Sequence, residues 1–214
     1  MTQNILSRIF PNLSHGLVQV FGSAGSGKTS FLLSLAKEAA IQGSRVIFFD
    51  CPNKVSSTKF GEVLITKQHL EKVTVFCPKD LKDLIYTLDD LDVFLVPSAS
   101  LILIDDPFSL YYPKVQEKGF GFKVSKDLSQ IFALACQLSK NVERPIFIAN
   151  QVRGRKEGKV PYLTQVTKRY IDYDLHLTRE RGTNLIWGSI FKEGTKCITN
   201  LRFILVKEGI RLVS

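Results

Sequence analysis

No run in this 214-residue chain approaches the roughly 18 apolar residues that a membrane-spanning helix needs. Its longest, Leu101-Ile102-Leu103-Ile104, is strand-length. The N-terminus shows no basic region followed by an apolar stretch and a small-residue cleavage site, so a secretory leader is not expected. Cysteine is scarce: Cys51, Cys77, Cys136 and Cys197 are scattered, without a CxxC pair or a histidine pair beside them. That pattern excludes a disulfide or zinc framework and predicts free, mostly buried thiols in a reducing compartment. The three histidines, His15, His69 and His176, stand apart with no second ligand at metal spacing, and read as surface or capping residues. The single tryptophan, Trp187, lies in a strand pattern and is expected in the core. Internal repeats and low-complexity linkers are also absent. With 44% apolar and 23% charged residues, the chain is neither disordered, collagen-like nor a coiled coil. It reads as one soluble intracellular domain spanning residues 1–214, long enough to bury a core without staples.

What is present is an uneven charge. Residues 1–107 carry ten Lys or Arg against eleven Asp or Glu, whereas residues 108–214 carry nineteen against nine. The whole basic excess therefore sits in the second half, which suits a polyanionic partner such as nucleic acid. Solubilising surface charge is the plainer alternative.

Apolar segments alternate with helical patterns. Strands are expected at 17–21, 45–49, 73–76, 101–104 and 146–149. Helices are expected at 28–42, after Asp80 as an N-cap (with Leu84, Ile85 and Leu88 on one face), and at 125–140. Such alternation implies right-handed crossovers and a mostly parallel sheet flanked by helices. After about residue 170 the period changes to two: Ile171, Tyr173, Leu175 and Leu177 alternate with polar residues. Strands at 185–191 and 201–206 follow, so the last third reads as an antiparallel extension. Segments 111–123 and 151–169, rich in Lys, Arg and Gly, fit no element.

The chemistry starts at Gly22-Ser23-Ala24-Gly25-Ser26-Gly27-Lys28-Thr29, a complete GxxxxGK[ST] motif between a strand and an amphipathic helix. Its glycines let successive backbone N–H groups line a nest for phosphate at a helix N-terminus. Lys28 is positioned for the β- and γ-phosphates and the Thr29 hydroxyl for Mg²⁺; Ser30 completes the nucleotide-binding run. Asp105 closes the apolar strand 101–104, where a carboxylate can hold Mg²⁺ beside the loop. Asp106 reads as an exposed acidic turn before Pro107. The only Asn-Lys, in Asn53-Lys54-Val55-Ser56, lacks the aspartate of the usual guanine-reading loop, which favours ATP. Gln151, just past the 146–149 strand, reads as a γ-phosphate sensor or a polar strand end. The segment behind it holds Arg153, Arg155, Lys156, Lys159, Lys168 and Arg169 against Glu157 alone, a phosphate-seeking composition. Lys118-Gly119-Phe120-Gly121-Phe122 opens like the RNP1 motif of RNA-recognition domains, but Lys123 and Ser125 break it. Lys118, Lys123 and the rings of Phe120 and Phe122 remain candidates for a basic, base-stacking loop; core packing of the rings is equally open.

Taken together, this arrangement resembles the RecA/RadA recombinase superfamily, in particular the archaeal RadA paralogues, over nearly the whole chain. Leu17–Gly22 into the phosphate loop, Leu101–Asp105, Ala149-Asn150-Gln151-Val152, and Lys207-Glu208-Gly209-Ile210-Arg211 as a closing hairpin carry the resemblance. It implies a RecA-like P-loop ATPase core in the α/β class, with a mostly parallel central sheet and antiparallel C-terminal strands. It further implies ATP at subunit interfaces and single-stranded DNA on two loops, here about 112–123 and 152–169. Lys28, Asp105 and Gln151 take the catalytic roles. One departure is chemical. Where the family has Asp-Thr-Glu-Gly, with the Glu orienting the attacking water, this chain has Asp50-Cys51-Pro52-Asn53. Proline positions no water, so hydrolysis is expected to be slow, with Asp50 or Asp106 as partial stand-ins. The family's helical N-terminal domain and its aromatic linker have no counterpart here, so a long self-filament is not expected, although a homo-oligomer is open.

The resemblance therefore implies a cytoplasmic, nucleoid-associated accessory paralogue. It would bind ATP–Mg²⁺ and single-stranded DNA, modulate recombinational repair and hydrolyse ATP weakly. One rival is a regulatory module that docks on the main RadA recombinase without its own DNA role. The other is a KaiC-like signalling ATPase.

Overall fold

The computed structural model describes residues 5–10, 13–55, 57–63, 66–94, 99–111, 120–153, 160–161, 164–192, 197–207 and 209–213. In chain order the elements begin α1 (Ile5–Ile9), β1 (Gly16–Gly22), α2 (Lys28–Ile41), β2 (Arg45–Asp50), α3 (Ser57–Val63), α4 (Lys67–Leu70) and β3 (Val73–Phe76). They continue α5 (Leu81–Phe94), β4 (Ala99–Asp105), α6 (Phe120–Asn141), β5 (Pro145–Arg153), β6 (Val160–Pro161) and α7 (Thr164–Thr167). The chain closes with β7 (Tyr173–Arg179), β8 (Leu185–Lys192), β9 (Cys197–Val206) and β10 (Gly209–Val213). Short 3₁₀ turns occupy Pro107–Leu110 and Lys168–Tyr170.

The main sheet runs β10-β9-β8-β7-β1-β5-β4-β2-β3, with β6 paired to β5 off this path. Every pairing from β7 through β1, β5, β4 and β2 to β3 is parallel. The antiparallel extension therefore begins one strand later than the period-2 pattern suggested, because β7 still pairs parallel with β1. β8, β9 and β10 continue by antiparallel hairpins, as expected.

Helices cover the parallel part on both faces. On one, Phe31, Leu32 and Leu35 of α2 and Phe60 of α3 meet Val18, Val20, Phe48 and Phe147 of the sheet. On the other, α5 and α6 lay Leu84, Leu88, Leu128, Ile131, Phe132 and Ala135 over Leu17, Ile47, Ile102 and Ile148. The 128, 131, 132, 135 spacing is one helical stripe, which is why α6 packs as a helix. Asp80 starts α5 by accepting from the N–H groups of Lys82 (2.9 Å) and Asp83 (3.0 Å), as a capping carboxylate does. A strand pattern without polar alternation, as in β1 and β4, is what burial on both faces requires.

From β7 onward the sheet's buried apolar side chains point to one side. Leu175, Leu177, Ile186, Ile190, Phe203 and Ile210 join the core beneath α2. Trp187 and Ile204 lie on the opposite side, 43% and 40% exposed. Trp187 is thus a surface residue and not core, with the Arg202 guanidinium 5.2 Å over its ring. Period-2 alternation identifies a strand but not which face is inward, and that is why the expectation failed.

The cysteine expectation fails in part too: only Cys51 is buried, Cys136 is half-buried, and Cys77 and Cys197 are exposed. His176 is half-buried on β7, its ring stacked 4.7 Å from that of Phe21. The closing hairpin is pinned to α2, since Ser34 Oγ donates to Ser30 O (2.8 Å) and accepts from Ile210 N (2.7 Å). Among the described residues, no helix is long and apolar enough to cross a membrane.

Candidate nucleotide site

All seven residues of β1 are buried, and the strand ends at Gly22. The chain then wraps through Ser23–Gly27 into α2. Gly25 (φ 75°) and Gly27 (φ 96°) take left-handed conformations that a side chain at either position would strain. Gly27 caps α2 with no side-chain hydrogen bond, and no acidic residue stands in the first helical turn. The first N–H groups of the helix therefore lack intrahelical partners, the arrangement that receives an anion.

Three side chains converge there. Lys28 is buried (8% exposed), its ammonium donating to the carbonyls of Gly22 (2.9 Å) and Ser23 (3.0 Å). Burial lowers its pKa from the ordinary lysine value, against the pull of Asp106 and Asp105. Thr29 Oγ1 donates to Asp105 Oδ2 at 2.8 Å, across 76 positions of sequence. Burial raises the Asp105 carboxyl to about 6; the Thr29 hydrogen bond and Lys28 oppose this, while Asp106 and Asp50 add to it.

Asp106 corrects the sequence reading. It is 7% exposed, not an open turn acid, and it holds a left-handed backbone (φ 42°, ψ 63°) before Pro107. Its Oδ2 accepts from Gln151 Nε2 at 2.6 Å. Burial raises its pKa as well, opposed by the Gln151 hydrogen bond and by Lys28. Gln151 lies on β5, which the sheet inserts between β1 and β4. That insertion brings its amide to the phosphate loop and the two aspartates.

A bound nucleotide with Mg²⁺ fits these residues. Ser26 Oγ in the loop and Asp106 Oδ1 beside it are buried without a hydrogen-bond partner, and buried polar atoms normally have one. No group of three or more His, Cys, Asp or Glu suited to a metal occurs among the described residues. Mg²⁺ needs none, because it takes one or two protein oxygens and completes its shell with phosphate and water. Thr29 and Asp105, already joined by a hydrogen bond, are the residues that would supply those oxygens. Cys51 is inert beside them, because burial and the three neighbouring aspartates raise its thiol pKa well above the ordinary value.

Residues 18–175 match the family model described as the CobQ/CobB/MinD/ParA nucleotide binding domain. The chain belongs to this family. This nucleotide-binding domain is also 22% identical over 203 residues to the DNA repair and recombination protein RadB of Methanococcoides burtonii, covering 91% of this chain and 88% of that relative. To the RadB of Thermococcus onnurineus it is 26% identical over 141 residues, 64% of this chain and 60% of the relative, less than two thirds of that protein's length. The solved structure of a RadB recombinase matches it with a TM-score of 0.78 at 18% identity, over 99% of this chain and 97% of that one. These likenesses support a RadA-like paralogue of the RecA/RadA superfamily, and the α/β fold is the one expected of it.

Two basic segments leave the strand ends that carry Asp105 and Gln151. The first is shorter than the sequence suggested: Phe120, Phe122 and Lys123 belong to α6, not to a loop, and Lys118 lies outside the described residues. In the second, Arg153 closes β5 and pairs in register with Val160 of β6, so part of it is a ribbon. Arg155, Lys156 and Lys159 lie outside the described residues. Lys168 and Arg169 are exposed on the 3₁₀ turn that follows α7. Arg169 donates to Ser129 Oγ of α6 (2.8 Å) and lies 4.8 Å over the Tyr170 ring. Sequence reasoning offers Asp106 only as a partial stand-in for the absent glutamate and takes it for an exposed turn acid; it misses the burial of this residue and its contact with Gln151.

Proposed function

We propose that this chain is a single RecA-like core that binds ATP with Mg²⁺ and single-stranded DNA and modulates recombinational repair, with weak, DNA-linked ATP hydrolysis. The observation carrying the reading is the direct Thr29–Asp105 hydrogen bond beneath an uncapped helix N-terminus. It supports a metal–triphosphate site at the point where both basic segments leave the sheet. The backbone N–H groups of Ser23–Thr29 and the Lys28 ammonium bind and orient the triphosphate. Thr29 and Asp105 hold Mg²⁺, which supplies charge neutralisation at the phosphates when bound. The missing guanine-reading loop favours ATP as the nucleotide. Gln151 lies at the root of the second basic segment, so its amide is suited to relay the γ-phosphate's presence to Arg153 and the cations beyond. Lys118, Phe120, Phe122, Lys123, Arg153, Arg155, Lys156, Lys159, Lys168 and Arg169 are the DNA-facing set. The relatives named for DNA repair and recombination support the repair role; a cytoplasmic, nucleoid-associated place beside a main recombinase is part of the same proposal.

The test is a salt titration of fluorescent single-stranded oligonucleotide binding with ATP, ADP and no nucleotide, run with and without the recombinase. Affinity highest with ATP and falling steeply with salt is expected. No binding at low salt under any condition removes the DNA half. Complex formation with the recombinase in that case favours the regulatory docking module.

A further inference from the structure

Pro52, which stands where the superfamily's water-orienting glutamate is expected, lies two residues past the end of β2 and offers no carboxylate. Two acids lie near enough to replace it, and the structure separates them. Asp50 is fully buried, and both its oxygens fold the turn behind β2, Oδ1 accepting from Lys54 N (3.1 Å) and Oδ2 from Val55 N (2.8 Å). Asp106 has one oxygen engaged and one free. Gln151 holds Oδ2, while Oδ1 is buried without a hydrogen-bond partner, the Ser109 backbone N–H acting on the carboxyl only weakly from the turn that follows. The left-handed turn at Asp106 keeps this carboxylate beside the phosphate loop, within the electrostatic reach of Lys28. A buried carboxylate oxygen without a donor is costly unless a donor arrives with the substrate. A water molecule is such a donor.

We propose that Asp106, fixed by Gln151, holds the water that attacks the terminal phosphate and so takes the place left by Pro52. The inference rests on the nucleotide reading above. In the step, the water oxygen bonds to the γ-phosphorus while the bond from that phosphorus to the β,γ-bridging oxygen breaks. The bond's electron pair leaves with ADP. The water's proton ends on the released phosphate, so Asp106 is unchanged over the cycle.

A different role for the free oxygen has a different signature. If Asp106 balanced the Lys28 charge or held the metal, removing its charge would weaken nucleotide binding. If it holds water, removing a negative charge beside the triphosphate leaves binding equal or tighter while turnover falls. The experiment uses the full chain and measures two quantities: affinity for a fluorescent, non-hydrolysable ATP analogue, and single-turnover ATP hydrolysis with single-stranded DNA present. Asp106→Asn is expected to slow hydrolysis about 100-fold at unchanged or higher analogue affinity, with Asp106→Glu partly restoring the rate. Hydrolysis within threefold of the parent, or joint loss of binding and turnover, overturns the proposal. Should Asp106→Asn fail to fold, Asp106→Glu carries the test through its rate at constant analogue affinity. A parent chain that binds the analogue but never turns over ATP overturns the role of Asp106 alone; one that binds no analogue removes the nucleotide reading with it.

Discussion

The two ends of the sheet are built on different rules. From β1 to β2 the strands are parallel and covered on both faces, and every group of the nucleotide site sits at their ends. From β8 to β10 they are antiparallel, covered on one face, and contribute no side chain to that site's hydrogen bonds. Yet the extension is fitted tightly to the phosphate loop. A Cβ at Gly27 would meet Ile186 Cδ1 at 2.5 Å, and one at Gly209 would meet Ser34 Oγ at 2.2 Å. The difference separates chemistry from support: one end carries the reactive groups, and the other holds the helix they spring from.

That division is open to attack by substitution. Phe203→Ala, fully buried under α2, removes the packing of the extension against Phe31 of that helix. It should cost about 3–5 kcal/mol by chemical denaturation, and it breaks the comparison if the loss is under 1 kcal/mol. Lys28→Ala attacks the other end: nucleotide affinity should drop at least about 100-fold, roughly 2.7 kcal/mol, with the fold retained by circular dichroism. Retained ATP binding would remove the loop from the site. Gly209→Ala, at φ 124° against Ser34, should cost on the order of 1–3 kcal/mol, and by loosening α2 it should weaken nucleotide binding several-fold without touching the ligand. Unchanged binding in a destabilised variant would show that the support is not transmitted.

A fourth test uses pH. Asp105 is held up to about 6 in the folded chain against the usual carboxylate range when unfolded. Between roughly 4 and 6 the folded state therefore binds the extra proton. Its contribution to the stability of nucleotide-free protein is present at low pH and lost as pH rises through about 6. Asp105→Asn should flatten that limb of the unfolding midpoint against pH, and an unaltered profile would contradict the burial of this carboxylate. The smallest effect is expected at Trp187→Ala. Although this is the chain's single tryptophan, its exposed ring should cost under about 1 kcal/mol, and a larger loss would mean that the outer face of the extension is covered.

The parallel end was legible in advance because its signals are local. A phosphate loop is eight consecutive residues, and a doubly covered strand such as 101–104 announces itself by unbroken apolar character. The burial of Asp106 was not legible, because Asp-Pro reads as a surface turn until Gln151, 45 positions away, closes over it. Phe120–Lys123 looked irregular since glycine and lysine blur the helical stripe that becomes clear only at Leu128. Just before the extension, the alternation 173–178 revealed a strand but neither its parallel partner nor the side that faces water. Pairing partners and orientation are long-range facts, and short windows of sequence do not contain them.

Ser34 ends up as a junction between distant parts of the chain. Its hydroxyl joins a carbonyl one turn earlier on α2 to the amide of Ile210, 176 positions later. Any axial displacement of that helix when its N-terminus closes on an anion must stretch or release this single bond. The Ile210 amide is thus a native hydrogen-exchange probe, placed remotely from the ligand, whose protection should rise or fall with occupancy of the loop.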